Sequence, residues 1–197
     1  MLNLVANGPS GYTINNSLRF RSSASAYLSR TPASTTNRTT FTWSGWIKTS
    51  RFATEQKIFA AGTGSSDVWY MQFTDNTTDA LTFGYWNGTN HNTCWLTTTQ
   101  VFRDPSAWYH IVLSVDTTQA TSTNRVKIYV NGSQVTAFGT STYPPQNTNT
   151  LFNSSTAVHY MGTAQGGGSF DGYFSEINFI DGQALTPSSF GQTSSTT

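Results

Sequence analysis

The 197 residues are 14% aromatic but only 10% charged, and the net charge is +1 at neutral pH. This length suits one domain whose core needs no staples. A near-neutral chain with no basic stripe or acidic block excludes nucleic acid and an anionic membrane surface as partners.

The single cysteine, Cys94, excludes an internal disulfide. The opening MLNLVANGPSGYTINNS has neither the basic region nor the apolar run of a signal peptide. No segment approaches the length of a membrane-spanning helix. Together these features place synthesis and folding in a reducing cytoplasm. The Asn-x-Ser/Thr triplets, such as Asn131-Gly132-Ser133, follow from composition rather than from glycosylation.

In chain order, residues 1–16 read as an extended arm, because Gly8, Pro9 and Gly11 break any regular element. SLRFR places Leu18 and Phe20 on one face. FTWSGWIK places Phe41, Trp43 and Ile47 on one face and Trp46 on the other. KIFAAG, VWYMQF and ALTFGYW continue the alternation, and Trp69 and Trp108 are also assigned to strands. WYHIVLSV sets Tyr109, Ile111, Leu113 and Val115 in register. RVKIYVNGSQV is a hairpin, because Asn131-Gly132 accepts the positive φ angles of a type I′ turn. VHYMG and GYFSEINFI supply the last strands.

No long stretch carries helical periodicity, so the fold class is an all-β, antiparallel β-sandwich. Polar loops are expected at 31–40, 116–124 and 139–157. Long loops on a rigid sandwich are common places for binding. Residues 191–197, GQTSSTT, read as a flexible tail or the start of a linker in a longer protein.

Four motifs in order resemble the laminin-G-like, concanavalin A-like jelly rolls, over residues 17–190. They are SLRFRSSASAYLS, FTWSGWIKTS, WYHIVLSVDTT with VKIYVNGSQV, and SFDGYFSEINFIDGQALTPSSF. The wording of DPSAWYHIVLSVDT and FDGYFSEINFIDGQALTPSSFG is similar to domains of tailed-bacteriophage virion proteins. That resemblance implies a non-enzymatic protein of the virion surface. It would be a capsid decoration or fibre domain docking through its N-terminal arm or a sheet edge. It further implies a homo-oligomer, with a major capsid or fibre protein as partner. The alternative is a carbohydrate-binding module or adhesin that recognises host-surface glycans.

Four candidate sites follow. A retaining glycosidase needs two carboxyl groups about 5 Å apart. Enzymes of the concanavalin A-like class carry them as Glu-x-Asp on one strand, and the chain has no such pair. Asp171 and Glu176 fall on opposite strand faces. Glu176 therefore reads as a structural acceptor, partly buried and tying down backbone N–H groups, and no catalytic residue is assigned.

Calcium binding occurs in many laminin-G-like domains, but Asp67, Asp75, Asp79 and Asp104 form no ligand run. No cofactor or metal site is assigned, and Ca²⁺ lacks a supporting motif. His91 and Cys94 offer two zinc ligands where four, or three and a water, are needed. Cys94 instead reads as a small apolar residue.

Trp86 and Trp95 flank the polar loop NGTNHNTC. With Asn87, Asn90 and His91 they are the candidates for contact with a glycan or partner. The competing reading, and the one preferred for the two tryptophans, is packing.

Overall fold

The computed structural model describes residues 16–74 and 78–191. It contains β1 (Leu18–Phe20), β2 (Leu28–Arg30), β3 (Thr40–Thr49), β4 (Gln56–Gly64), β5 (Asp67–Phe73), β6 (Ala80–Trp86) and β7 (Trp95–Val101). These are followed by β8 (Tyr109–Asp116), β9 (Val126–Val130), β10 (Ser133–Gln134), β11 (Phe138–Thr142), β12 (Val158–Met161) and β13 (Gly172–Asp181). They form a six-stranded sheet, β1-β13-β3-β8-β9-β10, and a seven-stranded sheet, β11-β7-β6-β5-β4-β12-β2.

The expected all-β antiparallel sandwich is what forms, with helix limited to three short 3₁₀ turns among the described residues. The arm lies almost wholly outside those residues, as does most of the tail at 191–197.

Alternation explains the core. Phe41, Trp43 and Ile47 of β3 and Ile111, Leu113 and Val115 of β8 are fully buried from one sheet. Phe59, Trp69, Met71, Phe83 and Leu96 meet them from the other. Phe152 bridges the layers, with ring centroids 4.9 Å from Phe41 and 4.9 Å from Phe59. The hairpin after β9 is as expected: Asn131 and Gly132 take φ values of 50° and 83°, and Val130 pairs with Ser133.

Beyond β13, the chain folds back across the outside of β3. Thr42 Oγ1 donates to the Gln183 carbonyl at 2.7 Å and accepts from Leu185 N–H at 2.8 Å.

Several expectations need correction. WLTTTQV forms β7, although its threonines mask the alternation. The polar stretch 139–157 is not all loop. Phe138–Thr142 forms β11 at the sheet edge, paired with β7, and Leu151, Phe152 and Ala157 plug the core. Trp108 precedes β8 rather than lying within it. Phe20 is buried, but Leu18 at the far end of the same edge strand is 48% exposed.

Glu176 is exposed, with φ 50°, and sits in a β-bulge. Between Ser175↔Trp46 and Asn178↔Ser44, two residues of β13 oppose Gly45 alone. The bulge has a packing partner in that glycine. A Cβ on Gly45 would lie 2.1 Å from Ile177 Cδ1 and 2.9 Å from the Trp43 ring.

Asp171 is a second carboxylate of this region, and it ties down backbone. It accepts from Ser22 N–H at 3.0 Å, Ser22 Oγ at 2.8 Å, Ser50 Oγ at 2.7 Å and Arg19 Nη2 at 2.6 Å. Burial acts to raise its pKa, but the donors from Ser50, Arg19 and Ser22 outweigh it and hold the carboxyl well below the usual range. A lowered folded-state pKa stabilises above the unfolded carboxylate value of about 3.9. That stability disappears as pH falls toward the folded value.

Two outcomes are expected. Gly45→Ala lowers stability by about 1–3 kcal/mol through overpacking, read as an earlier urea midpoint. Asp171→Asn costs about 1–3 kcal/mol near pH 7. Its deficit against wild type shrinks steadily below about pH 4, measured by parallel denaturant titrations across pH.

Candidate functional site

The outer face of the seven-stranded sheet carries a second, smaller cluster of Ala60, Val68, Tyr70 and Ala164, with Trp86, Trp95 and Tyr160 packed against it. Strand register builds it. Tyr160 pairs with Ala60, Ala60 with Tyr70, Tyr70 with Gly84, and Gly84 with Trp95. Gly84 has no side chain because the Trp95 ring occupies that space, 2.7 Å from where a Cβ would stand.

A bulge in β4 brings in a charge. Lys57 pairs with Gln72, and the next pair is Phe59 with Met71. Ile58 is the extra residue. This one-residue insertion turns Lys57 onto the face of Ala60 and Tyr70.

Lys57 is 6% exposed, and burying a cation demands partners. Its Nζ lies 2.7 Å from Glu55 Oε1 and 3.9 Å above the centre of the Tyr70 ring, and it donates to Gln72 Oε1.

The loop between β6 and β7 covers the other side. His91 stacks on Trp95 with centroids 3.9 Å apart and lies 4.7 Å from Trp86. Its Nδ1 is 3.0 Å from the Tyr85 carbonyl, which can only accept. Nδ1 therefore carries the proton, and Nε2 is the ring's acceptor. Burial lowers the His91 pKa most, the Tyr85 carbonyl opposes that, Lys57 adds to the lowering and Glu55 opposes it. The net shift is downward, so the imidazole is neutral at neutral pH.

Asn87 and Asn90 serve the loop itself. Asn87 Oδ1 accepts from Thr89 N–H at 2.9 Å and Asn90 N–H at 2.8 Å, and Asn90 Oδ1 accepts from Asn92 N–H at 3.0 Å.

A cavity of about 260 Å³ opens over this cluster. Tyr70 and Val68 line it with Trp86 and His91, Glu55 and Lys57 flank them, and Ser65 with Gln165, Gly166 and Gly167 completes the lining. Gly166, Gly167 and Gly168 have φ values of 105°, 113° and 81°. A Cβ on Gly168 would lie 2.8 Å from both Glu55 Oε1 and Lys57 Cγ. The glycines thus let this wall lie directly on the ion pair.

Of the five sequence candidates, Trp86 and His91 line the cavity and Trp95 backs His91. Asn87 and Asn90 shape the loop and do not line it. Glu55, Lys57, Tyr70 and Gln165 were missed. Glu55 and Lys57 are neighbours, but Tyr70 and Gln165 are distant from them in sequence, and register with the β4 bulge brings the group together.

Other candidates separate. His91 lies on the outer face, whereas Cys94 is buried in the main core and its thiol pKa is pushed up by burial. They do not form a metal pair. Asp67 accepts from Thr63 Oγ1 and Tyr85 Oη, Asp79 from Ala53 N–H and Arg103, and Asp104 from Ser106. Asp75 lies outside the described residues. Among those residues no three His, Cys, Asp or Glu side chains converge as metal ligands.

A larger cavity, about 520 Å³, lies at the sandwich edge beside β2, β12 and the end of β13. It is lined by Leu28, Phe59, Met161 and Phe179 among others. Three of its polar residues bond one another: His159 Nε2 accepts from Asn153 N–H at 2.9 Å, and Asp181 from Asn153 Nδ2 at 2.9 Å.

The family described as the concanavalin A-like lectin/glucanases superfamily, with its laminin-G type of domain, matches residues 22–189. Several solved structures share the fold. Domain 4 of AbnA, a GH43 extracellular arabinanase from Geobacillus stearothermophilus solved with arabinotriose, has a TM-score of 0.56 and 19% identity. That match covers 79% of this chain and 65% of the other. The CBM40 of the Ruminococcus gnavus IT-sialidase has a TM-score of 0.56 at 14% identity, covering 77% and 80%. Domains LG4-5 of the mouse laminin α1 chain give 0.55 at 17%, covering 90% and 44%. The chain therefore spans less than two thirds of the arabinanase domain and of the laminin fragment. No curated protein sequence matches it.

Proposed function

The chain belongs to the concanavalin A-like lectin/glucanases superfamily, and from that premise we propose that it is a non-enzymatic glycan-binding module whose site is the cavity over Tyr70, Trp86 and His91. One observation carries the reading. An apolar ring surface and polar acceptors face the same small cavity on the outside of a rigid sheet. The C–H face of a sugar packs on rings, and its hydroxyls need placed hydrogen-bond partners. Trp86 supplies the platform, and His91 Nε2 and the Glu55 carboxylate supply acceptors.

The arabinanase domain, solved with arabinotriose, and the CBM40, also solved with α2,3-sialyllactose, support the class of ligand by likeness of fold. The absence of catalysis is supported by the sequence, which lacks the Glu-x-Asp pair. It is also supported by Asp171, whose carboxylate is engaged by Arg19, Ser22 and Ser50.

The virion setting is a further part of the proposal and rests on the wording of the two phage-like segments. On a particle surface the module would hold glycans at the host envelope.

Trp86→Ala is expected to abolish retention in affinity electrophoresis through glycan-containing gels. It should cost clearly less than the roughly 3–5 kcal/mol of a core tryptophan, because Trp86 is only half-buried. Retention that survives the change, or that falls only in step with the folded fraction, would sink the site assignment. For the setting, the chain is expected to co-sediment with purified phage particles. Its absence from washed particles would remove the virion role and leave the glycan site standing.

A further inference from the structure

Resting on the glycan-binding reading, we infer that Glu55 is the specificity-determining residue of the cavity and confines it to uncharged sugars that present neighbouring hydroxyl groups. Among the described residues, Glu55 and Lys57 are the only formally charged side chains lining the cavity. Their roles differ because their exposure differs.

Lys57 is buried, and its ammonium is held between Glu55, Gln72 and the Tyr70 ring. An ammonium has three protons to give. Two oxygens and a ring face engage them, so Lys57 is not placed to receive the carboxylate or sulfate of an acidic sugar.

The side chain of Glu55 is 39% exposed. One oxygen, Oε1, faces Lys57 and lies over Gly168, where any Cβ would collide with it. The ion pair holds that oxygen toward Lys57. Oε2 has no hydrogen-bond partner among the described residues. An ionised carboxylate only accepts hydrogen bonds, and bonds to a charged acceptor are the stronger kind. A pair of sugar hydroxyls can donate to it, whereas an anionic group meets a like charge at close range. The neutral imidazole of His91 adds a second acceptor and no cation beyond the buried Lys57.

The test compares arabinotriose and lactose with 3′-sialyllactose by isothermal titration, using the wild-type chain and Glu55→Gln. Glutamine keeps the shape and a carbonyl toward Lys57 but removes the negative charge. In wild type, at least one neutral sugar should bind about tenfold or more tightly than the sialylated one, a gap of about 1.4 kcal/mol. In Glu55→Gln the gap should close to about threefold or less, with the neutral sugar weakened.

Wild-type selectivity gives an independent readout that needs no variant. It should narrow as salt rises from about 10 mM to about 1 M, because the Debye length falls from about 30 Å to about 3 Å.

Sialyllactose binding as tightly as the neutral sugars would overturn the role of Glu55 while leaving a glycan site in place. So would selectivity that neither salt nor Glu55→Gln moves. If folded wild-type chain binds none of the three sugars and none on a broad panel of neutral and acidic glycans, both the reading and this inference fail.

Discussion

Phe152 touches Phe41 on one sheet and Phe59 on the other, at 4.9 Å in both cases, and reaches Phe83 at 6.4 Å. This wedge of rings sets the spacing of the two layers. It comes from the segment between β11 and β12, with Leu151 and Ala157 buried beside it. With one cysteine in the chain, no disulfide can do this work, so dense aromatic packing has to. Packing makes a concession: the buried indole N–H of Trp43 has no hydrogen-bond partner among the described residues. The rigid inner layer allows the outer face of the seven-stranded sheet to carry a cluster of partly polar residues without deforming.

Legibility in the sequence followed locality. The β9–β10 hairpin was readable because two adjacent residues, Asn131 and Gly132, carry the whole signal. β3 and β8 were readable because their inward residues are large and apolar without interruption. β7 was missed because its alternation is written in Leu96 and Thr98 against Trp95 and Thr97, and threonine suits either face. Phe138–Thr142 was missed because FGTST looks like loop, and only pairing with β7 makes it a strand. The two bulges were invisible. Strict alternation counted back from Ala60 would place Lys57 on the inner face, and nothing in the periodicity announces the β13 bulge that leaves Glu176 exposed where partial burial was expected.

The site was legible to the same degree. Trp86, His91 and Trp95 lie within ten residues of one another, so their association could be expected. Asn87 and Asn90 were the right residues in the right loop, but short polar side chains beside turns first satisfy the turn. Glu55 with Lys57, Tyr70 and the glycine segment come from three separate places. Their meeting depends on the order β12-β4-β5-β6 and on a bulge, neither of which periodicity reveals. Family membership adds the sandwich and its general binding character. The proposed class of ligand rests on this local chemistry, because identities of 14–19% with the solved structures carry fold alone.

The glycine wall at 166–168 has an evolutionary consequence. All three residues occupy backbone conformations that other side chains rarely adopt, and Gly168 has no room for a Cβ beside Glu55 and Lys57. That side of the cavity is therefore closed to variation by ordinary substitution. The tip of the facing loop, Asn87 to Thr89, is surface-exposed, so it can vary with less disturbance to the sheet than His91 or the buried Cys94. Diversification of what this scaffold holds should run through one lip of the cavity while the other stays constant, a hinge-and-jaw division of labour written into the backbone.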